Sequence, residues 1–338
     1  MEWSVLGHEW AVALLRRHIA TGEMRHAYLF TGPSGVGRRS LALRFAQALT
    51  CTHPPAPGEP CGACRLCVQT WQMQQPDLSI VQPETETAVL KIEQVRELQH
   101  SLALSPYEAP YRVALLLDFQ QASASAQNAL LKTLEEAPQR VILLLVANTP
   151  ESLLPTITSR CEILRLRPMP LDQLTQALQQ RLRIPGEEAR LLAHLSGGRL
   201  GYAIQMHANP HLFEQRQAWL DDLRTLLSAS RRERFAYAES VTKGRDRPAV
   251  KANLAEMYQV WLTFWRDLLL VASGSTAPLV NLNLESELHD LIADVDIPAA
   301  RACSASLEQA LDRLDANLNM QLLTEVLLLD WPRLKNPV

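Results

Sequence analysis

The chain has 338 residues, of which 47% are hydrophobic and 20% charged, an ordinary composition for a soluble globular protein with two or three domains. Its net charge is −3, and residues 1–167 carry 15 basic and 15 acidic side chains, which excludes a chain coated in basic groups for tight DNA binding. No apolar run is long enough to span a bilayer, and the first ten residues lack a secretory pattern. We therefore expect a cytosolic protein.

The first half of the chain alternates short apolar runs with helical patterns. The apolar runs predict strands at 26–30, 78–81, 113–118, 141–147 and 163–166. Apolar spacings near three and four predict helices within 2–21, 41–49, 91–104 and 122–136. Strands that alternate with helices predict an α/β fold with a parallel sheet covered on both faces.

A glycine-rich turn follows the first predicted strand. Residues 31–40 read Thr-Gly-Pro-Ser-Gly-Val-Gly-Arg-Arg-Ser and lead directly into the helical pattern at 41–49. The glycines of the turn are Gly32, Gly35 and Gly37. A phosphate-binding loop has this strand–turn–helix context and the pattern Gly-x4-Gly-Lys-[Ser/Thr]. The glycine spacing fits, so we interpret the turn as descended from a nucleotide-binding loop.

Two chemical groups of that pattern are missing. Arg38 stands at the lysine position, and its planar fork does not replace the compact charge of an ammonium group. Arg39 stands at the hydroxyl position and cannot bind magnesium, while Ser40 lies one position late, about 100° further round the helix. Asp118 ends an apolar run where nucleotidases place a magnesium-holding aspartate. ATP or ADP binding is therefore doubtful, although the loop amides could still meet phosphates.

Four of the six cysteines are clustered. They are Cys51, Cys61, Cys64 and Cys67, with the spacing Cys-x9-Cys-x2-Cys-x2-Cys. In a cytosolic chain this clustering indicates a metal site rather than disulfides. Four thiolates form a closed tetrahedral site that suits structural Zn²⁺. An iron–sulfur cluster is the alternative, and we favour zinc because nothing nearby resembles an electron-transfer site.

The second half of the chain is predicted to be all helix after a linker at 168–170. The predicted helices are 171–183, 187–195, 202–207, 211–229, 231–242, 247–273, 285–294 and 298–329. Trp219, Trp261, Trp265 and Trp331 are expected in the core, and the charged run 231–234 is expected to be a solvated face.

Four stretches of the sequence carry a family resemblance. They are His26–Pro33, the four-cysteine insert after the loop helix, Asn128–Glu136 (Asn-Ala-Leu-Leu-Lys-Thr-Leu-Glu-Glu), and Ser159-Arg160-Cys161. Together they resemble the bacterial clamp-loader subunits of the AAA+ family. The resemblance covers the whole chain and implies an AAA+ core at 1–167 with a zinc module at 51–67, a helical lid at 168–208 and a helical collar domain at 209–338.

The chain departs from the ATP-hydrolysing subunits of that family at four positions. Arg38 and Arg39 replace the lysine and the hydroxyl residue, Phe119 replaces the glutamate that follows Asp118, and Gly201 falls where the lid carries an arginine. These departures indicate the type of subunit in which the nucleotide loop is degraded. Such a subunit would act as a rigid end-piece of the clamp loader of DNA polymerase III, without ATPase activity on its own.

The resemblance also implies a role in trans for Arg160, within the motif Ser159-Arg160-Cys161. An arginine finger spreads its charge over the phosphoryl group that is transferred at a neighbouring subunit's site. The implied partners are the gamma/tau and delta subunits, and through that complex the sliding clamp and primer-template DNA, with no membrane. Cys161 and Cys303 have no assigned chemistry and are expected to pack.

Two other functions are compatible with parts of the sequence. An active gamma/tau-like ATPase would use Arg38 in an unusual way, and it predicts ATP hydrolysis that Asp118→Ala abolishes. A zinc-containing DNA-binding module predicts salt-dependent DNA affinity of the isolated chain and a role for Arg65. The neutral first half of the chain argues against that module.

Overall fold

The computed structural model describes residues 3–84, 89–314 and 318–334. The chain divides into two compact units, one formed by Met1–Pro170 with Arg199–Tyr202 and the other by Leu171–Gly198 with Ala203–Val338. The finer division into three domains at 167 and 208 stays a prediction.

The first unit is built on a five-stranded parallel sheet. Its strands are β1 (Ala27–Thr31), β2 (Leu78–Val81), β3 (Arg112–Leu116), β4 (Val141–Ala147) and β5 (Glu162–Arg165). They lie in the order β2-β3-β4-β1-β5, and every pairing is parallel. All residues of β1, β3 and β4 are buried, as expected for strands covered on both faces. This confirms the predicted α/β fold.

Helices cover both faces of the sheet. The helices of this part of the chain are α1 (Glu9–Thr21), α2 (Arg38–Thr50), α3 (Arg65–Trp71), α4 (Ile92–Leu102), α5 (Ala124–Glu135) and α6 (Pro155–Thr158). Successive side chains of β1 point to opposite faces, so Tyr28 and Phe30 pack with Leu41 and Phe45 on one side. Leu29 packs with the residues of α4 and α5 on the other side.

Helix α3 was not predicted, because its seven residues give too short an apolar pattern. Its N-cap is Cys64, whose sulfur accepts the backbone N–H of Cys67. The first turn of the helix is therefore capped by one of the cysteines that the sequence predicts to be metal ligands.

The second unit is helical, as predicted. Its helices are α7 (Leu171–Leu182), α8 (Gly186–Leu195), α9 (Leu200–Ala208, whose first residues belong to the first unit), α10 (Pro210–Ser228), α11 (Arg231–Thr242), α12 (Arg247–Ala272), α13 (Glu285–Leu291), α14 (Ile297–Leu314) and α15 (Met320–Leu329). Trp261, Trp265 and Trp331 are buried in its core with Trp219 packed against them, so these four side chains are core residues. Among the described residues, no helix is both long and apolar enough to cross a membrane.

The prediction of a single helix over 298–329 is wrong. Helix α14 ends at Leu314, residues 315–317 lie outside the described part, and α15 begins at Met320. The side-chain oxygen of Asn319 accepts the backbone N–H groups of Gln321 and Leu322. An asparagine that caps the first turn starts a new helix, so local hydrogen bonding overrides the continuous apolar periodicity.

The expectation that 231–234 is a solvated face is wrong for Arg234. Its side chain is 4% exposed, and its guanidinium donates to the carbonyls of Leu226, Leu328, Trp331 and Pro332. These acceptors belong to the end of α10 and to the segment around the end of α15. Arg234 therefore ties the C-terminal segment to the helical unit.

Arg234→Ala is expected to lower the free energy of unfolding by about 3 kcal/mol, because it leaves buried carbonyls without donors. Urea denaturation followed by circular dichroism measures this loss. Arg232→Ala, at an exposed position two residues away, is the control and should change stability by less than about 0.5 kcal/mol. Equal midpoints for the two variants would contradict the structural role of Arg234.

Candidate functional site

The glycine-rich turn lies at the carboxyl edge of the sheet. Strands β1, β3 and β4 end there together, because they are parallel and in register, with Thr31 opposite Ala147. The backbone N–H of Gly32 donates to the carbonyl of Asn148 at 3.0 Å. The structure therefore brings the turn next to the residues that follow the other central strands.

The backbone of the turn needs its glycines. Gly32, Gly35 and Gly37 have φ angles of 143°, 80° and 109°, a region that favours glycine. A Cβ at Gly32 would lie 2.4 Å from the carbonyl oxygen of Leu166. The strand–turn–helix geometry of a phosphate loop is thus retained.

The arginine at the lysine position is turned inward. Arg38 is 8% exposed, and its Nη1 donates to Oδ1 of Asn148 at 2.7 Å. Burial lowers the pKa of the Arg38 guanidinium, and the charge of Asp118 partly offsets this. Arg39 is exposed and its Nη2 lies 3.2 Å from the sulfur of Met73. Neither residue supplies the ammonium or hydroxyl group that magnesium-bound phosphates require.

A second contact covers the turn from outside. The carbonyl of Gly35 accepts the N–H of Gly201 at 2.8 Å. A Cβ at Gly35 would lie 2.9 Å from the backbone nitrogen of Tyr202, and a Cβ at Gly201 would lie 2.8 Å from the Gly35 oxygen. Gly201, the position at which the resemblance implies a lid arginine in other subunits, therefore has no room for a side chain. Arg199 instead stacks over the ring of Tyr202, 4.5 Å from its centroid.

The inner side of the turn is also bonded. Nε2 of His8, a side chain that is 1% exposed, lies 2.8 Å from the carbonyl oxygen of Val36. A carbonyl only accepts, so Nε2 carries the proton in this contact. The turn is thus held by a backbone hydrogen bond from Gly201 to Gly35 and by a side-chain hydrogen bond from His8 to Val36.

Asp118 and Phe119 follow strand β3. In the ATP-hydrolysing subunits that the chain resembles, the resemblance implies a glutamate at the position of Phe119. Asp118 has a left-handed backbone, with φ 47°, and directly precedes a 3-10 helix at Phe119–Gln121, to which its side chain makes no capping hydrogen bond. Its Oδ1 accepts from Nε2 of Gln120 at 3.4 Å. Phe119 is fully buried in the core on the α4 and α5 face. Phe119, which stands where the resemblance implies a glutamate, therefore serves packing.

Arg160 follows α6 at the surface of the same unit, and its side chain is 35% exposed. Its Nη1 donates to the carbonyl of Thr156 at 2.9 Å, and its Nη2 donates to Oε1 of Glu135 at 2.8 Å. Glu135 is the last residue of α5 and is 52% exposed. The guanidinium is accessible and already has one carboxylate partner.

The neighbours of Arg160 in the motif have no reactive group. The hydroxyl of Ser159 donates to the carbonyl of Thr156 at 3.2 Å. Cys161 packs against the core, and burial raises the pKa of its thiol to about 12. Cys303 is 2% exposed in the helical core, and burial likewise raises its pKa to about 12. Both thiols stay protonated, in agreement with the expected packing role.

The four clustered cysteines meet at one point. The sulfur atoms of Cys51, Cys61, Cys64 and Cys67 all lie within 4.8 Å of one another. The backbone N–H groups of Cys61, Cys64 and Cys67 donate to the sulfurs of Cys51, Cys61 and Cys64 respectively. Tetrahedral zinc at Zn–S distances of about 2.3 Å requires sulfurs of about this spacing, so the residues fit a closed Zn²⁺ site with no open position.

The electrostatics of the cluster favour a cation. Burial raises the pKa of the Cys64 thiol, but the Cys67 N–H and neighbouring sulfurs outweigh it and hold that pKa at about 6. Burial and the nearby thiols raise the pKa of Cys67. Several sulfurs this close cannot all carry a negative charge unless a cation neutralises them.

Three polar residues of this unit had no predicted role. Asn148 binds Arg38, Glu135 binds Arg160, and the fully buried Asp77 accepts the backbone N–H groups of 107–109. The one signal available in sequence was the position of Asn148 directly after a buried strand. Arg160, the partner of Glu135, lies 25 residues away, and the backbone donors of 107–109 lie at least 30 residues from Asp77, so no local pattern identifies these contacts.

A parallel sheet with a glycine-rich turn between its β1 strand and the following helix defines a phosphate-loop type of α/β domain. A sequence profile described as DNA polymerase III, delta subunit, matches residues 7–170. A protein of Pseudomonas aeruginosa named DNA polymerase III subunit delta' is 34% identical over 65% of this chain and 67% of its own length. The Bacillus subtilis protein of that name is 29% identical over 94% of this chain and 93% of its own length.

The chain therefore belongs to the family of the DNA polymerase III subunit delta', which confirms its resemblance to bacterial clamp-loader subunits. It is also similar to DNA polymerase III subunit tau of Escherichia coli, with 34% identity over 52% of this chain and 27% of that protein.

Proposed function

We propose that this chain is the stator of a bacterial clamp loader: it hydrolyses no ATP itself and supplies Arg160 to the ATP site of a neighbouring subunit. Family membership supports the assignment to DNA polymerase III. The observation that carries the proposal is the contrast between the two arginines. Arg38 is buried on Asn148, where it cannot serve a nucleotide, whereas Arg160 is accessible at the surface.

The proposed inactivity follows from the chemistry of the loop. Hydrolysis of a nucleoside triphosphate needs a positively charged side chain beside the phosphates, a bound magnesium ion and a group that orients the attacking water. Arg38 is committed to an internal hydrogen bond, Arg39 offers no oxygen, and Phe119 is buried. The approach of Gly201 to Gly35 adds a steric obstacle. We therefore infer that the loop acts as a rigid brace.

The proposed partners are those of a hetero-oligomer. Similarity to tau subunits fits an assembly in which related subunits pack side by side, with gamma/tau and delta as neighbours of this chain. Sliding clamp and primer-template DNA would be met through the complex. Residues 209–338 would provide the collar, and the four cysteines would hold a Zn²⁺ ion whose role is to stabilise the module around α3.

The isolated chain is expected to show no ATP hydrolysis above background and no saturable ATP or ADP binding. The reason is that the loop lacks both the lysine ammonium group that would contact the phosphates and the hydroxyl group that would bind magnesium. A coupled ATPase assay and isothermal titration calorimetry measure this. Arg38→Lys with Arg39→Thr restores the loop pattern, yet it should not restore hydrolysis, since Phe119 and Gly201 remain. Hydrolysis that is lost in Asp118→Ala would instead support the active ATPase.

The DNA-binding alternative gains no support from the cysteine module. Arg65, its basic candidate, forms an ion pair with Glu108. A neutralised arginine contributes little to the counterion release that drives binding to phosphates. Arg65→Ala is accordingly expected to leave the function of this chain unchanged.

A further inference from the structure

The proposed finger is held by a carboxylate of its own chain. Glu135 and Arg160 are 25 residues apart in sequence, and their side chains meet where the end of α5 comes close to the end of α6. The 2.8 Å contact between Nη2 and Oε1 is a charge-assisted hydrogen bond. The positive charge of Arg160, which would stabilise a phosphoryl group, is therefore partly neutralised by Glu135 when no nucleotide is bound at the neighbouring site.

The carbonyl of Thr156 reinforces this position. It accepts Nη1 of Arg160 at 2.9 Å and belongs to the last turn of α6, where helix carbonyls present partial negative charge. Glu135 likewise ends α5. A backbone carbonyl of α6 and the carboxylate at the end of α5 thus hold the guanidinium at the surface of this chain.

We propose that Glu135 is a counter-ion that competes with the neighbouring subunit's ATP for the guanidinium of Arg160. This inference rests on the proposed finger role. When the γ-phosphate approaches, the guanidinium exchanges its carboxylate partner for phosphate oxygens. No covalent bond forms or breaks in this exchange. Glu135 thereby makes engagement of the finger depend on occupation of the neighbouring site.

The exposure of the pair sets the size of the effect. Arg160 and Glu135 are 35% and 52% exposed, and an ion pair exposed to this degree shifts an equilibrium by at most about fivefold. Such a pair is strong enough to bias the finger and weak enough for a phosphate with more than one negative charge to displace it. A buried pair would hold the finger permanently.

Glu135→Gln tests the proposal, because glutamine keeps an oxygen acceptor of the same length and removes the charge. The measurement is ATPase activity against ATP concentration for clamp loader reconstituted with each variant of this chain. We expect Glu135→Gln to lower the half-saturating ATP concentration by about two- to fivefold at low salt, with an unchanged maximal rate. The difference should shrink at high salt, where surface charges are screened.

Two further variants separate the possible failures. Glu136→Gln removes a charge at the next exposed residue and should leave the half-saturating concentration unchanged. In an Arg160→Ala background, Glu135→Gln should have no effect, since the guanidinium for which Glu135 and ATP compete is absent. The proposal is overturned if Glu135→Gln behaves as the wild type or acts equally without Arg160. Full activity of Arg160→Ala alone would overturn the finger itself, and the competition with it.

Discussion

Replacing Arg160 with alanine is expected to abolish nearly all ATP hydrolysis at the neighbouring site to which, as we propose, this chain contributes its finger. An arginine supplied in trans contributes about 10³–10⁵ to the rate of phosphoryl transfer, because its charge spreads over the oxygens that become more negative in the transition state. A clamp loader with several ATP sites should lose the share of its turnover that depends on this site. Steady-state ATPase measurements on the reconstituted complex, in the presence of clamp and primed DNA, report that loss.

Two variants make the result specific for Arg160. Arg165→Ala removes an exposed arginine of β5 whose partner is the exposed Glu151, and it should leave turnover unchanged. Arg160→Lys keeps the positive charge without the fork, so it should restore only a small part of the rate. The complex must still assemble with Arg160→Ala, as gel filtration can show. Wild-type turnover in the assembled variant would leave this chain with a structural role alone.

Removing the metal site is expected to have the largest effect on stability. A structural zinc site contributes about 10 kcal/mol or more of binding free energy that is coupled to folding. Cys67→Ser should therefore lose the bound metal and unfold the module that contains α3. Metal analysis of purified protein should give one Zn²⁺ per wild-type chain and none in the variant, and thermal unfolding should show a lower midpoint.

The rest of the first unit should survive this change. The module is attached to α2 through Gln47, which donates to the Cys67 carbonyl at 2.6 Å, and through the hydroxyls of Thr50 and Thr70, which lie 3.1 Å apart. Helix α2 also packs on the sheet, so limited proteolysis should cut within the module first. Cys303→Ala, in the helical core, is the control and should keep its zinc. Iron with visible absorption in the wild-type protein would support the iron–sulfur alternative instead.

Local features of the sequence were sufficient for the framework. The buried strands β1 to β4 were predicted within about two residues, since runs of apolar residues are unfavourable unless buried. The glycines at 32, 35 and 37 defined the turn, because its backbone angles are open mainly to glycine. The cysteine spacing predicted a metal site, and the structure brings the four sulfurs together as such a site requires. Four stretches together pointed to the family that the comparisons confirm.

Boundaries and short elements were harder to predict. Helix α3 is too short for a periodic signal and needs a cysteine cap, while Asn319 divides a region whose apolar pattern is continuous. Both outcomes depend on a single side chain that binds backbone N–H groups. Periodicity reports burial, and it contains no information about such bonds.

The sequence by itself determined which groups the site lacks: a lysine, a hydroxyl and a glutamate are absent whatever the fold. Tertiary structure alone decided where the arginines go. Arg38 binds Asn148, Arg160 binds Glu135, and Arg234 is buried among distant carbonyls. The physical reason is that an arginine side chain is long and flexible and always carries its charge. It goes to whichever acceptors the folded chain brings within reach, and each of these three arginines has at least one acceptor that is 25 or more residues away in sequence.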